Sequence, residues 1–275
     1  MPQTLTAPAA SLAEFLDTHR RVFVLTGAGC STDSGIPDYR DADGSWKRTP
    51  PVTYQAFMGE ARTRQRYWAR SLLGWRHFGQ ARPNASHHAL QRLEARDRLT
   101  LLVTQNVDGL HQRAGSRQVV DLHGRLDTVR CMSCEHRLPR ADFQQTLDRL
   151  NPGWAQRQAG EAPDGDADLD ALDFETFVVP PCPVCAGVLK PDVVFFGENV
   201  PRARVMDALQ ALADADAMLV VGSSLMVFSG DRFVHAAARA GKPVAAVNLG
   251  RTRADPLLSL KVEQSCAEAL AFLLA

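Results

Sequence analysis

The chain has 275 residues, enough for one large domain or for one domain with an inserted module. Hydrophobic residues make up 45% and charged residues 23%, ordinary proportions for a globular protein. Lys plus Arg and Asp plus Glu balance at 31 each, which argues against broad binding to nucleic acid or membranes through bulk charge and leaves room only for a local basic patch among the Arg residues of positions 62 to 82.

The first twenty residues have neither a basic start nor a continuous apolar core, so no signal peptide is expected, and no apolar run reaches bilayer-crossing length. A cytoplasmic protein is expected. In that reducing setting the six cysteines are metal ligands or free thiols rather than disulfides. Ser11-Leu-Ala-Glu14 has the pattern of a capping box and predicts a first helix through His19. The run Arg21-Val-Phe-Val-Leu25 reads as a buried parallel strand. It leads into TGAGCSTDSGIPDYR, Thr26 to Arg40, where Gly27, Gly29 and Gly35 allow backbone to approach a ligand closely. Unpaired amides and a helix dipole after a strand make a phosphate cradle. The apolar residue, carboxylate and cation that follow extend it to a whole nucleotide. The string is neither GxGxxG nor GxxxxGK[ST].

Residues 41 to 60, with Gly44, Pro50 and Pro51, read as a loop able to close over a ligand, with Trp46 either in that lid or in the core. Residues 61 to 79 predict a helix with aromatics on one side and arginines on the other. Asn84 to Arg98 predicts another, on which the adjacent His87 and His88 diverge and make no metal pair. Leu99 to Thr104 is a second buried strand. It delivers Gln105-Asn-Val-Asp108 at its carboxyl end, where ligands sit in open α/β sheets. Val119 to Leu122 is a third strand and delivers His123-Gly124.

Composition then changes. Cys131-Met-Ser-Cys134 and Cys182-Pro-Val-Cys185 flank a polar, acidic stretch. Each CxxC sits on a tight turn, and two such pairs form a closed four-thiolate site that suits one structural zinc ion. His136 would be a fifth ligand and is left out. Asp164 to Asp170, with Glu175, imitates a calcium loop, but Leu169 stands where a glycine is required, so a solvated acidic loop is expected. After Lys190 strands are predicted at Val193–Phe196, Ala217–Val221 and Val244–Asn248, with helices at Ala203–Ala213, Asp231–Ala240 and Cys266–Leu274. This alternation predicts an α/β fold, a doubly wound parallel Rossmann-like sheet, with the cysteine segment as a small zinc-binding insertion and a helical lid. The expected Rossmann-like part covers about 1–45, 84–125 and 190–275, the lid about 46–83 and the zinc module about 126–189.

The glycine loop, TQNVDGLHQRAG (Thr104–Gly115), Leu122-His-Gly124, GVLKPDVVFFGE (Gly187–Glu198) and Val221-Gly-Ser-Ser224 occur in one order between Arg20 and Ala275. Together they resemble the sirtuin (Sir2) family of NAD-dependent protein deacylases, whose patterns are GAGxSxxSGIPxFR, TQNxDxLHxxAG, LHG, GxLKPxVVxFGE and VGTS. Tyr39 replaces the commoner Phe, as in the class II branch, and Ser223 replaces Thr. The family carries a zinc module at this place, and Cys131, Cys134, Cys182 and Cys185 match it one for one.

The resemblance implies NAD as co-substrate and acylated protein lysines as substrate, in a monomer. It implies that Ala28, Ser31, Arg40, Ser223 and Asn248 hold the phosphates and adenosine ribose, while Ile36, Asn106 and Asp108 form the nicotinamide pocket and Gln105 touches the nicotinamide ribose. Gly27, Gly29, Thr32, Pro37, Asp38, Tyr39, Val107, Gly222, Ser224, Leu249 and Gly250 complete the implied cofactor contacts. Cys266 caps the adenine through its backbone. Val194, Phe196, Gly197 and Glu198 pair with the substrate peptide, strand to strand. The chemistry needs a closed site that tolerates a developing positive charge, close positioning of a weak acyl-oxygen nucleophile, and a general base for a ribose hydroxyl. His suits that base near neutral pH, and His123 is the candidate, with Asn106 and Asp108 beside it in the catalytic set.

Tyr67 and Arg70, three apart on one helix face, resemble the Tyr-x-x-Arg carboxylate reader of the desuccinylase lineage. Their surroundings look more like the fourth mitochondrial sirtuin of mammals, a branch linked to bulkier acyl groups, so longer or acidic acyl-lysines are the expected preference. Cys30 is expected to pack. The rival readings are a protein mono-ADP-ribosyltransferase on the same fold, a non-enzymatic NAD sensor, and a nicotinamide dehydrogenase with structural zinc.

Overall fold

The computed structural model describes residues 6–38, 43, 47, 51–155, 160–161, 167–168 and 174–275. Tyr39, Arg40, Gly44, Trp46, Pro50 and most of the acidic Asp164–Asp170 stretch lie outside the described residues.

Helix α1 (Ala7–Thr18) leads to strand β1 (Val22–Thr26), and α2 (Tyr54–Gly59), α3 (Ala61–Phe78) and α4 (Ala85–Ala95) lead to β2 (Leu99–Thr104). Then come α5 (Leu110–Arg113), β3 (Val119–Asp121), β4 (Gly124–Cys131), β5 (Arg137–Pro139), α6 (Arg140–Leu150) and α7 (Pro152–Ala155). Two short strands, β6 (Gly160–Glu161) and β7 (Ala167–Asp168), precede β8 (Leu189–Val193). The chain continues through α8 (Arg202–Asp214), β9 (Ala217–Val221), α9 (Phe228–Arg239), β10 (Val244–Val247), β11 (Leu260–Val262) and α10 (Cys266–Leu270).

Six strands form one parallel sheet in the order β11-β10-β9-β1-β2-β3. Every residue of β1, β9 and β10 is buried, as expected for strands covered on both faces. One apolar layer, with Leu12, Leu90, Leu93 and Leu270, packs on one face; another, with Phe23, Leu212 and Phe233, packs on the other. Strand order reverses between β1 and β9, the position at which ligand sites form outside the carboxyl ends of an open α/β sheet.

Several boundaries differ from expectation. The first helix begins at Ala7, with Pro8 in its first turn, where a missing N–H costs nothing; Ser11 lies inside it and its hydroxyl donates to the Ala7 carbonyl at 3.1 Å. The helix after Asn84 stops at Ala95, and Asp97 adopts φ 56°. Part of the expected loop 41–60 is helical, because the Thr53 side chain caps α2 by accepting from Ala56 N at 3.3 Å. Helix α9 starts three residues early, at Phe228, and leaves Asp231 in its first turn.

The strand expected at Val193–Phe196 is the largest correction. It lies at Leu189–Val193 and pairs antiparallel with β4 in a separate sheet of order β5-β4-β8. Pro191 lacks a ladder donor, which suits β8 to that sheet's edge. The expected boundaries near 125 and 190 fall inside β4 and β8. A third apolar cluster lies under this sheet, where Trp68 of α3 packs on Phe143 and donates from Nε1 to the Leu189 carbonyl at 3.3 Å. Among the described residues no helix is long and apolar enough to cross a membrane.

Candidate active site

The carboxyl ends of the central strands open into a cleft of about 450 Å³. Gly27, Ala28, Gly29, Ser31, Ile36, Pro37 and Asp38 reach it from the loop after β1, and Gln105, Asn106, Val107 and Asp108 from the loop after β2. His123 comes from the turn into β4, and Val194, Phe196, Gly197 and Glu198 from the segment after β8. Gly222, Ser223 and Ser224 follow β9, Asn248 and Leu249 follow β10, and Tyr67 enters from α3. Segments from both ends and the middle of the chain thus share one space.

Four expected contacts are not among the described lining residues: Thr32, Gly250, Cys266 and Arg70. The Thr32 hydroxyl turns back to the Gly29 carbonyl at 3.1 Å. Gly250 accepts from Asn248 Nδ2 at 3.3 Å, and Cys266 is buried at the start of α10 in the same apolar layer as Cys30.

The glycine loop corrects one expectation. The Gly27 amide donates to the Val221 carbonyl at 3.0 Å and the Gly29 amide to the Gly222 carbonyl at 2.8 Å. These two amides are spent on joining the loops after β1 and β9, so they are not the free donors of an anion cradle. Gly222 has φ 63°, and a Cβ there would stand 2.3 Å from Cys30 N, so only glycine lets the two turns meet.

Ser31 is the hub at the inner end of the cleft. Its hydroxyl donates to Asp108 Oδ2 at 2.7 Å and accepts from Asn106 Nδ2 at 3.0 Å. Asn106 Nδ2 also donates to the Gly27 carbonyl at 3.0 Å. Asp108 Oδ1 accepts from Leu110 N at 2.9 Å, so the carboxylate closes the turn into α5 as well as facing the cleft. Burial raises the Asp108 pKa, and the bonds from Leu110 and Ser31 oppose it.

Beneath that hub lie groups the sequence did not reveal. His87, buried on α4, has its ring 4.7 Å from that of His111 on α5, and both stand beside Cys30. His88 is exposed, so the adjacent pair does diverge. His87 caps its own helix with Asn84, and His111 Nε2 bonds Thr26 Oγ1 at 2.9 Å. Burial pushes His87 down to about 4 and His111 well below the usual imidazole range. Burial also drives the Cys30 thiol well up, which keeps it protonated.

His123 Nδ1 lies 2.9 Å from the Gln105 carbonyl, an atom that can only accept, so Nδ1 carries the proton. The Nε2 lone pair is left for the cleft side, where the Ser229 hydroxyl donates to it at 2.7 Å. Burial pushes the imidazole down to about 4, with the Gln105 bond opposing and the Arg204 and Arg232 charges assisting. It is therefore a neutral base at pH 7. Ser229 was missed because nothing local in Phe228-Ser-Gly-Asp231 announces a partner 106 residues away.

Glu198 lines the cleft while its side chain is held in place. Its carboxylate accepts from Lys190 Nζ at 3.1 Å and from Phe195 N at 2.9 Å, and its own amide donates to the Phe195 carbonyl at 3.0 Å. These bonds lock the turn that follows β8. Phe196 is half exposed and already pairs on one side with Thr53, its carbonyl accepting from Tyr54 N at 2.8 Å.

Cys131, Cys134, Cys182 and Cys185 place their sulfurs within 4.8 Å of one another. Ser133 N and Val184 N donate to the Cys131 and Cys182 sulfurs at 3.4 and 3.5 Å. The residue after each pair, Glu135 and Ala186, takes a positive φ (62° and 59°), so the two knuckles share one geometry. Four convergent thiols fit one tetrahedral zinc and leave no position open for chemistry. A metal here is structural. Joined to this module, β4 starts at Gly124 directly after His123, and Val194 N donates to the His123 carbonyl at 2.7 Å.

The model of the Sir2 family matches residues 27–229. An NAD-dependent protein deacetylase of Xanthomonas campestris is 70% identical over 273 residues, covering 99% of this chain and 93% of the relative. NAD-dependent protein deacetylase 2 of Bradyrhizobium diazoefficiens is 67% identical over 270 residues, covering 98% and 99%. A solved Sir2 complex with a p53 peptide and NAD+ shares 29% identity and a TM-score of 0.74, covering 96% of both chains. With a glycine-rich crevice, a neutral imidazole at its mouth and a four-cysteine module in the family's order, the chain belongs to the Sir2 family.

Proposed function

We propose that the chain is an NAD-dependent protein-lysine deacetylase, with reach to other acyl groups, that releases nicotinamide and O-acyl-ADP-ribose. The observation that carries this reading is the neutral His123 imidazole, its tautomer set by the Gln105 carbonyl and its lone pair turned into the cleft. Bacterial relatives at 70% and 67% identity that are NAD-dependent protein deacetylases support it. Bound NAD would supply a carbon that accepts the acyl oxygen as nicotinamide leaves.

The chain's own residues do the rest. Asn106 and Asp108, held by Ser31, suit a carboxamide, which both donates and accepts hydrogen bonds. Ala28, Ser223 and Asn248 hold the phosphate and adenosine end. Val194, Phe196 and Gly197 offer an edge for an extended peptide. His123 takes a proton at Nε2. The same reading divides the chain into a Rossmann-like body, a lid at about 46–83 and a zinc module at about 126–189, acting as a monomer.

The test is incubation with NAD and an acetyl-lysine peptide, followed by mass spectrometry. Wild type yields nicotinamide and O-acetyl-ADP-ribose, and His123→Ala loses about 10²–10⁴-fold in product rate. Label retained on protein would instead mark a transferase. For acyl preference, Tyr67 in the cleft favours a longer or acidic chain, whereas Arg70 outside its described lining does not. Turnover of acetyl, succinyl and lipoyl peptides by wild type and Arg70→Ala decides it. An unchanged acetyl preference in both ends that finer reading and the kinship with the fourth mitochondrial branch.

A further inference from the structure

The first turn of α9 touches both supports of the catalytic imidazole. Ser229 Oγ lies 2.7 Å from His123 Nε2, and both residues line the cleft. The next residue, Gly230, packs where a Cβ would stand 2.4 Å from Gln105 Oε1, and the Gln105 carbonyl holds His123 Nδ1. Gln105 Nε2 in turn donates to Ser223 Oγ at 2.7 Å. The hydroxyl of Ser229 is thus built in, not a passing rotamer on an exposed surface: its residue is 8% exposed. The charged groups that bear on the imidazole are Arg204 of α8 and Arg232 of α9, both cationic, so no carboxylate among these groups competes for its proton.

We propose that Ser229 is a proton relay between a sugar hydroxyl bound in the cleft and His123. This rests on the deacylase reading above. Since Nδ1–H is committed to the Gln105 carbonyl, only Nε2 can take a proton, and the Ser229 hydroxyl already occupies its lone pair. A cleft-bound hydroxyl would reach the base directly only by displacing Ser229. Through Ser229 it needs no displacement. The Ser O–H bond breaks as the Nε2–H bond forms, and the serine oxygen takes the proton of the sugar hydroxyl. The sugar oxygen keeps the electron pair with which it attacks the acyl carbon. The net change is one proton moved from sugar to imidazole, and the serine is regenerated. Release of nicotinamide comes before this step and does not call on the relay.

The experiment uses the full-length zinc-loaded protein as wild type, Ser229→Ala and Ser229→Thr. In the protein without NAD, nitrogen-15 NMR of His123 reads the hydrogen bond. Ser229→Ala moves Nε2 toward the shift of a free unprotonated imidazole nitrogen, and Ser229→Thr leaves it near wild type. With NAD and acetyl peptide, Ser229→Ala keeps nicotinamide exchange within about twofold and slows product formation at least about tenfold, while Ser229→Thr restores it. The proton inventory of product formation shows two protons in flight in wild type and one in Ser229→Ala. Product formation at the wild-type rate in Ser229→Ala, or an equal loss of both steps, overturns the relay. A wild type that releases no nicotinamide overturns the deacylase reading instead, and the imidazole spectrum then decides separately whether Ser229 holds the base.

Discussion

The Ser31 hydroxyl joins Asn106 to Asp108, and its bond to the carboxylate supports a charge that burial disfavours. Ser31→Ala removes the 2.7 Å donor from Asp108 Oδ2, so it should cost about 1–3 kcal/mol of stability and raise the Asp108 pKa further. Denaturant unfolding and carboxyl NMR titration check both, and an unchanged pKa would show that the Ser31 bond does not support the charge. The histidines act in the opposite sense. His87 and His123 sit near 4 and burial holds His111 well below its usual range, whereas an unfolded imidazole titrates near ~6.5. Between those values the unfolded chain binds more protons, so stability is fully present above about pH 6.5 and is lost as pH falls toward 4. Thermal melts across pH 4 to 7 check this, and a melting temperature flat over that window would contradict the buried neutral imidazoles. His123 and Asn106 were legible because each stands at a strand end inside a recognisable string. Ser229 and the His87–His111 contact were not, because their partners are chosen by tertiary packing and leave no local pattern.

Among the elements, the β4–β8 ladder shows where period and position diverge. Its apolar residues look like one more parallel strand, and sequence alone gives no sign that the pairing is antiparallel and belongs to a second sheet. The core strands β1, β2, β9 and β10 were legible within a residue or so at each end, because burial on both faces writes a continuous apolar run. Short β11 carried too few residues to register, and α6 was hidden in a polar stretch. Where β4 meets β8, Gly124 has φ 80° and a Cβ would lie 2.0 Å from the Asp192 carbonyl oxygen. Gly124→Ala should therefore destabilise by at least about 3 kcal/mol and displace the adjacent His123. Urea unfolding measures the first effect and product rate the second; full activity with native stability would mean that β8 can slide away at little cost.

At the scale of the whole molecule, the switch in strand order gathers the loops, and this much follows from the alternation of strands and helices. The zinc module is harder to read, since two CxxC pairs declare their metal but not what the metal supports. Metal binding of this kind stabilises only the folded arrangement. Chelation, or Cys182→Ser, should lower the melting temperature and lose deacetylation together, with zinc content followed by mass spectrometry; activity surviving at zero zinc would sever the two. The His123 carbonyl is stitched to Val194, one residue beyond a strand whose other end lies seven residues past Cys182. Thiolates are the groups an oxidant attacks first. Peroxide should therefore cut deacetylation first through the exposed Cys134 and Cys185, with cleft residues unmodified in peptide mass spectra; activity that survives oxidation of these sulfurs would break that link.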